Sequence, residues 1–425
     1  MGARIQPTEP ESKDRRKPGR ESARLRVAIY SPGLIGLGHI RRNAAIAQAL
    51  RSTLKPVIVM IAEARQVGAL PMLTGVDCVT LPSHRPAEDT GAEREPRFLD
   101  IAERDLCALR TAIIDTTFES FEPDALIVDH LPLGTANELR RPLQRLRKRG
   151  NTCCVLGLRD VPQAKSPATG RYVWPDRATA GAIRDYFDAV WVYGDPTVYD
   201  PVHDDRGLPR LAVPVHYTGY LDERARLALT TDQQPLPATG QGSVALCVVG
   251  RGHDAEVLAD AFLEATLPPG TSGLVVTGAT IEEDALRRIR RHARRHAGMQ
   301  LLERVADPAP FIRQADRVVA MGGYHTLCEV LSFEKRALIV PRFRAIPEHE
   351  QWIRATRMRD LGLIDLLDPR QLSPAALSDW LARDPGSPTQ SRHRVDFGGL
   401  TRIPKLLSEL LGTSKTSMAQ AVAHA

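Results

Sequence analysis

The sequence predicts an α/β protein of two doubly wound domains, each a parallel sheet with helices on both faces, opposed across a central cleft. Three observations predict it. Short continuous apolar runs alternate with helix-length segments along most of the 425 residues, which is how strands buried on both faces read. The alternation breaks once, in a polar stretch carrying TTDQQPLPATGQG, and then restarts. Each half also opens with an apolar strand that runs into a glycine-rich turn. In open sheets of this kind ligands bind at the carboxyl ends of the strands, so facing domains bring both glycine turns to one cleft.

Taken in order, residues 1–24 are a polar, basic tail expected to be disordered. The first domain covers 25–220 and opens with the strand RVAIY (26–30), the loop SPGLIGLGHIRR and a helix over 43–52. Further strands are expected at 57–61, 77–81, 125–129, 152–156, 189–193 and 213–217, all apolar runs. Its composition marks 221–242 as the interdomain linker. The second domain, 243–385, starts with SVALCVV (243–249), turns at Gly250-Arg251-Gly252 and enters a helix ending near Ala265. Strands at 273–277, 299–302, 317–320 and 337–340 follow. A loop and the amphipathic helix GLTRIPKLLSELL occupy 386–412, and 413–425 reads as a frayed tail.

Composition narrows the function. At 43% hydrophobic and 25% charged, the chain is globular. No apolar run approaches the roughly 20 residues of a membrane span, and the first 24 residues lack the apolar core of a secretory signal. The protein is expected in the cytoplasm, with peripheral contact to the inner face of the membrane left open. Of the net charge of +6, residues 1–26 supply four, from eight Lys/Arg against four acids. Such a tail either stays solvated or brushes an anionic membrane surface, and no nucleic-acid partner is expected. Six cysteines without a C-x-x-C pair read as buried free thiols. His292 and His296 have the i,i+4 spacing of a metal pair, but Arg290, Arg291, Arg294 and Arg295 beside them repel a cation. No metal site is expected.

The chemistry is expected at the turns. In VVAMGGYHTLCEVLS a buried strand meets Gly322 and Gly323 and then a helix. Glycines there let a ligand approach the backbone and leave helix N–H groups aimed at it, which suits a phosphate. Tight packing is the alternative use. Tyr324, His325 and Thr326 form the first turn of that helix, and Glu329, about two turns in, is placed for ribose hydroxyls. Glu350 and Gln351, at the next helix start, offer a carboxylate and an amide to sugar hydroxyls. With Gly250, Arg251 and Gly252, two sets of backbone donors can hold a nucleotide diphosphate without a metal. No Asp-x-Asp element of the kind that holds a divalent ion occurs. In the first half, Gly33, Gly36 and Gly38 do not make the dinucleotide G-x-G-x-x-G, and no P-loop is present. His39 closes that loop. Its imidazole can act as a general base or simply cap the helix. Asp129, which ends ALIVD beside His130, can orient that base or cap the next element.

The run VVAMGGYHTLCEVLSFEKRALIVPR, followed by EHEQWIRATRM, resembles the C-terminal domain of family-28 glycosyltransferases, the family of the N-acetylglucosaminyltransferase that completes lipid II. With GLGHIRRN near the start, RDV and VYGDP in mid-chain and YTGY before the linker, residues 26–411 are similar to a bacterial group of predicted glycosyltransferases. The resemblance implies a GT-B fold of two Rossmann-like domains, with a terminal helix crossing back to the first. It implies transfer of a hexosyl group from a nucleotide-diphospho-sugar, a UDP-sugar by preference, to an acceptor hydroxyl. That transfer is expected to be inverting and to need no metal or other cofactor. The resemblance also implies diphosphate at Gly322 and Gly323, ribose at Glu329 and sugar hydroxyls at Gln351. Gly250, Arg251 and Gly252 take the first donor loop, and His39, with Gly36 and Gly38, takes the acceptor side. The acceptor is left open among small molecules, lipid-linked sugars and glycans. Three departures keep lipid II synthesis from being carried over. The loop before His39 is longer than the family's GTGGH form; Gly219-Tyr220-Leu221-Asp222-Glu223 lacks the family's Asn and Arg; and the loop from Pro341 to Gln351 is longer. A GT-B-type epimerase or hydrolase, or a non-catalytic nucleotide-sugar-binding regulator, stands as the alternative.

Overall fold

A computed structural model describes residues 24–32, 37–63, 74–85, 95–161, 177–201, 211–228, 242–250, 253–296, 298–342, 350–384 and 389–423. The first sheet contains β1 (Arg26–Ser31), β2 (Val57–Ala62), β3 (Val76–Thr80), β4 (Ala125–Asp129), β5 (Cys153–Arg159), β6 (Ala189–Tyr193) and β7 (Val215–Tyr217), in the order β3-β2-β1-β4-β5-β6-β7. The second contains β8 (Ser243–Val249), β9 (Thr271–Gly278), β10 (Met299–Val305), β11 (Arg317–Ala320), β12 (Arg336–Ile339) and β13 (Asp365–Leu366), in the order β10-β9-β8-β11-β12-β13. All pairings between these strands are parallel. Central strands such as β4 and β6 are buried at every residue, so their sequences run apolar without alternation.

The first sheet is covered by α1 (Gly38–Leu54), α2 (Glu103–Phe121), α3 (Arg140–Arg149) and α4 (Arg177–Tyr186). A short α5 (Glu223–Ala228) leads to the second domain, which holds α6 (His253–Leu263), α7 (Glu283–Ala293), α8 (Ala309–Gln314), α9 (Tyr324–Ser332), α10 (Glu350–Asp360) and α11 (Pro374–Ala382). After α12 (Ser391–Arg394), the terminal α13 (Gly399–Ala423) returns and packs on α1. The two domains share one apolar cluster, which holds β1 and β4 residues of the first, β8 and β11 residues of the second, and Tyr220, Tyr324, Ile403 and Leu407. Among the described residues no helix is long and apolar enough to cross a membrane.

Several boundaries differ from the sequence reading for physical reasons. Helix α1 begins at Gly38 rather than residue 43, because His39, Arg42, Asn43 and Ile46 form a buried face at helical spacing. Strand β5 runs on to Arg159, which still pairs with Tyr193 of β6; a charged residue at the strand end hid the continuation. The linker is shorter than 221–242. Leu221 is buried and bridges Gly398 antiparallel, and residues 223–228 are helical with Glu223, Arg226 and Leu227 buried; residues 229–241 lie outside the described ones. The return crossing lies beside the first: Tyr220 N–H donates to the Asp396 carbonyl at 2.8 Å, and Gly399 N–H to the Tyr220 carbonyl at 3.1 Å. Helix α13 continues past Gly412 to Ala423, where a frayed tail was expected. All six cysteines are free. His292 is spent on Asp260, with Nδ1 2.7 Å from its carboxylate.

Candidate active site

In both sheets the strand order reverses beside the first strand, at β1/β4 and at β8/β11. Such switch points open a crevice at the carboxyl ends of the strands. The two crevices face each other and enclose a cavity of about 510 Å3.

On the first domain, β4 ends in Asp129, which is fully buried. Three donors converge on it. His39 Nδ1 lies 2.8 Å from Oδ2, Asn43 Nδ2 donates to Oδ2 at 3.0 Å, and Arg42 Nη2 donates to Oδ1 at 2.5 Å. Two neighbours make opposite demands on Nδ1: the Asp129 carboxylate, which only accepts, and Arg42 Nη2 at 2.7 Å, which only donates; with the proton on Nδ1 for the carboxylate, Nε2 keeps the lone pair. His39 lines the cavity. Burial lowers the His39 pKa below the ordinary histidine value, with Asp129 pulling the other way, so the imidazole is neutral at neutral pH. Against its own desolvation, Arg42 and His39 hold the Asp129 carboxyl far below the carboxylate range. His130 follows with φ of 67°, a left-handed conformation that costs a non-glycine residue about 1–2 kcal/mol. Its ring centroid sits 5.6 Å from that of His39, on the cavity wall. Burial and then Arg159 push the His130 pKa well down.

On the second domain, β8 ends just before Gly250, and β11 ends before Gly322 and Gly323. Helix α9 starts with Gly323 as its N-cap, and no side chain caps it. Among the described residues, a Cβ added at Gly250 would meet nothing within 4 Å, and one at Gly323 would meet only Thr326 Oγ1 at 3.9 Å. Neither glycine has positive φ. Packing and backbone strain therefore do not account for them, and both stand on the cavity wall. Gly322 and Gly38 differ. A Cβ on Gly322 would lie 3.3 Å from Gln351 Cβ, and one on Gly38 2.3 Å from His325 Cδ2, so these two are packing glycines.

Of the expected site residues, the cavity wall gathers Gly38, His39, Gly250, Gly323, Tyr324, His325, Thr326, Glu350 and Gln351. Asp129 stands directly behind His39, and Gly322 behind Gln351. Gly36, Arg251 and Gly252 lie outside the described residues. Glu329 is fully buried, off the cavity wall, and paired with Arg41 of α1; Arg41 itself lines the cavity and also binds Asp307 at 2.9 Å. Burial lifts the Glu329 carboxyl to about 7, with Arg41 pulling it down and Glu223 and Asp307 adding to the rise. Glu350 is engaged by Arg159 across the cleft at 2.9 Å and by Arg354 at 3.3 Å. His325 has its pKa pushed well down by burial and then Arg42, and its buried Nε2 has no hydrogen-bond partner among the described residues.

Sequence reasoning missed the arginines. Arg41, Arg42, Arg159 and Arg354 all reach between or beneath the two crevices. Arg354 pairs with Asp160 at 2.7 Å, both fully buried, and Tyr220 O–H donates to the same carboxylate at 2.7 Å. The signal was present: Arg41 and Arg42 stand in GLGHIRRN, Arg159 in RDV and Arg354 in EHEQWIRATRM. Charged residues at strand ends were read there as motif letters rather than as partners.

No known family's sequence profile matches the chain. Over 163 residues it is 31% identical to the UDP-N-acetylglucosamine--N-acetylmuramyl-(pentapeptide) pyrophosphoryl-undecaprenol N-acetylglucosamine transferase of Burkholderia orbicola (strain MC0-3), covering 37% of this chain and 44% of that enzyme. The enzyme of the same description from Ralstonia nicotianae (strain ATCC BAA-1114 / GMI1000) is 31% identical over 169 residues, with the same shares. The chain thus spans less than half the length of the curated relatives it matches. Among solved structures, Acinetobacter baumannii MurG superposes with a TM-score of 0.54 at 13% identity, over 91% of this chain and 99% of that one. The calicheamicin glycosyltransferase CalG4 gives 0.56 at 15% identity, over 92% and 99%. The chain has the GT-B fold. Its sequence relationship is to the family-28-like transferases that the motifs indicated. A UDP-GlcNAc 2-epimerase from Neisseria meningitidis shares the fold as well, at a TM-score of 0.57 and 12% identity over 92% and 100% of the two chains.

Proposed function

We propose that this chain is a glycosyltransferase that moves a hexosyl group from a UDP-sugar to an acceptor hydroxyl, with inversion and without a metal ion. One observation carries the reading: a neutral His39, oriented by Asp129 with Nε2 unprotonated, faces across a single cavity the uncapped start of α9 at Gly323. His39 Nε2 takes the proton of the acceptor hydroxyl. The acceptor oxygen forms its bond to the anomeric carbon as the bond to UDP breaks on the opposite face, which inverts that centre. UDP leaves with the bonding pair, its charge stabilised by the α9 N-terminal amides and by the cavity-wall cation Arg342. Glycines with room beside them admit the diphosphate to the backbone. The similarity to transferases whose donor is UDP-N-acetylglucosamine supports the choice of a UDP-sugar.

The acceptor binds on the His39 side, and its identity is open. A lipid-linked acceptor belongs to the curated relatives, and bringing it here would require the protein to meet a membrane surface. The deciding experiment incubates the purified chain with radiolabelled UDP-sugars, with and without candidate acceptors. Label moving into an acceptor, with UDP released, supports the reading. Because epimerases share the fold, label returning in an epimeric UDP-sugar without acceptor would replace it. A thermal-shift screen of nucleotide-diphospho-sugars chooses the donor beforehand, since a ligand of the native state raises its melting temperature.

A further inference from the structure

Arg42 is a fully buried guanidinium that touches both faces of the cleft at once. Its Nη2 reaches Asp129 Oδ1 at 2.5 Å and lies 2.7 Å from His39 Nδ1. A guanidinium cannot accept a hydrogen bond, so the nitrogen contact places a positive charge beside the protonated side of the imidazole. Nε and Nη1 have no hydrogen-bond partner among the described residues. What lies against the guanidinium instead is aromatic: its carbon is 5.3 Å from the Tyr193 ring centroid of the first domain and 5.5 Å from the Tyr324 ring centroid of the second. Tyr324 is the first residue of α9, and its hydroxyl donates to the Tyr193 carbonyl at 2.6 Å. The opposite domain's cation Arg354 also sits on the Tyr324 ring, at 5.4 Å.

A buried arginine with one carboxylate partner among the described residues is an expensive way to hold a fold together, because well-packed apolar groups serve stability as well. Its aromatic contacts are strongest when desolvated, and the Tyr324 half of them exists only while the two domains are closed. We propose that Arg42 is a positioning residue for the His39 base: it clamps Asp129 so that Nε2 is presented to the cavity, and it is held in that pose by Tyr324 of the donor-side helix. The base is then set only when the cleft is shut over a donor. The proposal rests on the transferase reading for the role of His39, but its geometry does not.

The groups facing His39 are Asp129 and His130 from the end of β4, Arg42 on its own helix, Arg159 from β5, and His325 with Tyr324 from α9. Asp129 favours the imidazolium, whereas burial, Arg42 and Arg159 oppose it. Removing Arg42 takes away an opposing charge and also frees the Asp129 carboxylate to act on the ring at full strength. The His39 midpoint must therefore rise.

The test is an NMR titration of the His39 imidazole, assigned with His39→Gln, in the wild type, Arg42→Gln, Arg42→Lys and Tyr324→Leu. The expected order of midpoints is Arg42→Gln highest, Tyr324→Leu next, and Arg42→Lys near the wild type, because the lysine keeps the charge. In turnover with the labelled UDP-sugar, the ratio of kcat/KM at pH 8 to that at pH 6 rises about tenfold in Arg42→Gln, since a protonated His39 cannot accept the proton. A merely structural arginine would lower the melting temperature and scale activity equally at both pH values, leaving the midpoint in place. That outcome overturns the proposal. Should Arg42→Gln not fold, Tyr324→Leu is read beside His325→Leu, because Tyr324 reaches His39 through Arg42 and also lies edge-on to His325, with 5.1 Å between ring centroids; a midpoint that stays put in Tyr324→Leu, or that moves equally in both variants, rejects the coupling. If the midpoints move as stated but no labelled sugar is ever transferred, the Arg42 role stands and the transferase reading falls.

Discussion

Both sheets place their first strand next to the strand at which the order reverses, β1 beside β4 and β8 beside β11, yet the two crevices are furnished in opposite ways. The first is filled with side chains: Asp129 with three donors on it, His39 held by one of its nitrogens, and Arg42 beneath. The second is lined by absence, with Gly250 and Gly323 leaving backbone exposed where a Cβ would fit without a clash. The same topology thus yields a face that can exchange a proton and a face that can hold charge without exchanging anything. A proton-transfer group has to be orientable and titratable, which only a side chain can be. A diphosphate site is best made of fixed dipoles that need no reorganisation. Division of labour within one fold follows from which residue type each strand end carries.

The comparison breaks if the two faces are not separable. His39→Ala should lower turnover by roughly 10²–10⁴-fold, the usual contribution of a general base, while calorimetry with UDP shows donor affinity unchanged; normal turnover would remove His39 from the chemistry. Asp129→Asn should cost about 3–5 kcal/mol, since it leaves the buried Arg42 charge uncompensated; urea unfolding checks this, and a stability equal to wild type would show that the clamp is dispensable. Gly250→Ala should keep stability within about 0.5 kcal/mol but weaken UDP about tenfold, a loss of some 1.4 kcal/mol. Gly38→Ala, whose Cβ would collide with His325, should instead destabilise the fold. If both alanines behave alike, the open-space argument fails. The smallest effect concerns Glu329. Its folded pKa of about 7 lies above the ordinary 4.5, so its contribution is fully present below the ordinary value and is lost as pH rises through the folded one. Glu329→Gln cannot lose it, so the melting-temperature advantage of wild type over Glu329→Gln should shrink between about pH 5 and pH 8. A gap that widens would mean the Arg41 pair outweighs desolvation.

The fold was legible because every central strand is buried on both faces and so reads as an unbroken apolar run. The edges were less so. Residues 153–159 end in Arg159, and 38–42 carry His39 and two arginines, so charge masked a strand end and a helix start that tertiary contacts decide. On the donor side the glycines were legible as a pattern, although only the geometry separates Gly250 and Gly323, which have space, from Gly322 and Gly38, which pack. His39 and Asp129 were each found, but 90 positions apart in sequence, and nothing in either local run says that they touch. The arginines were the real omission. A basic residue early in a helix is read as solvated by default, whereas Arg42 is covered by Asp129 and Tyr193 of its own domain and by Tyr324 of the other, and Arg354 by Asp160 of the opposite domain.

That apposition has a mechanical side. The chain passes between the domains at Tyr220–Leu221 and returns at Asp396–Gly399, and the two passages lie side by side, bonded to each other. A single covalent tether would allow one half to swivel freely on the other. Two antiparallel tethers laced together resemble the leaf of a door hinge, which resists twisting and sliding more than bending about its own axis. A cleft hung on such a pair keeps His39 and Gly323 in the facing register that the single cavity shows.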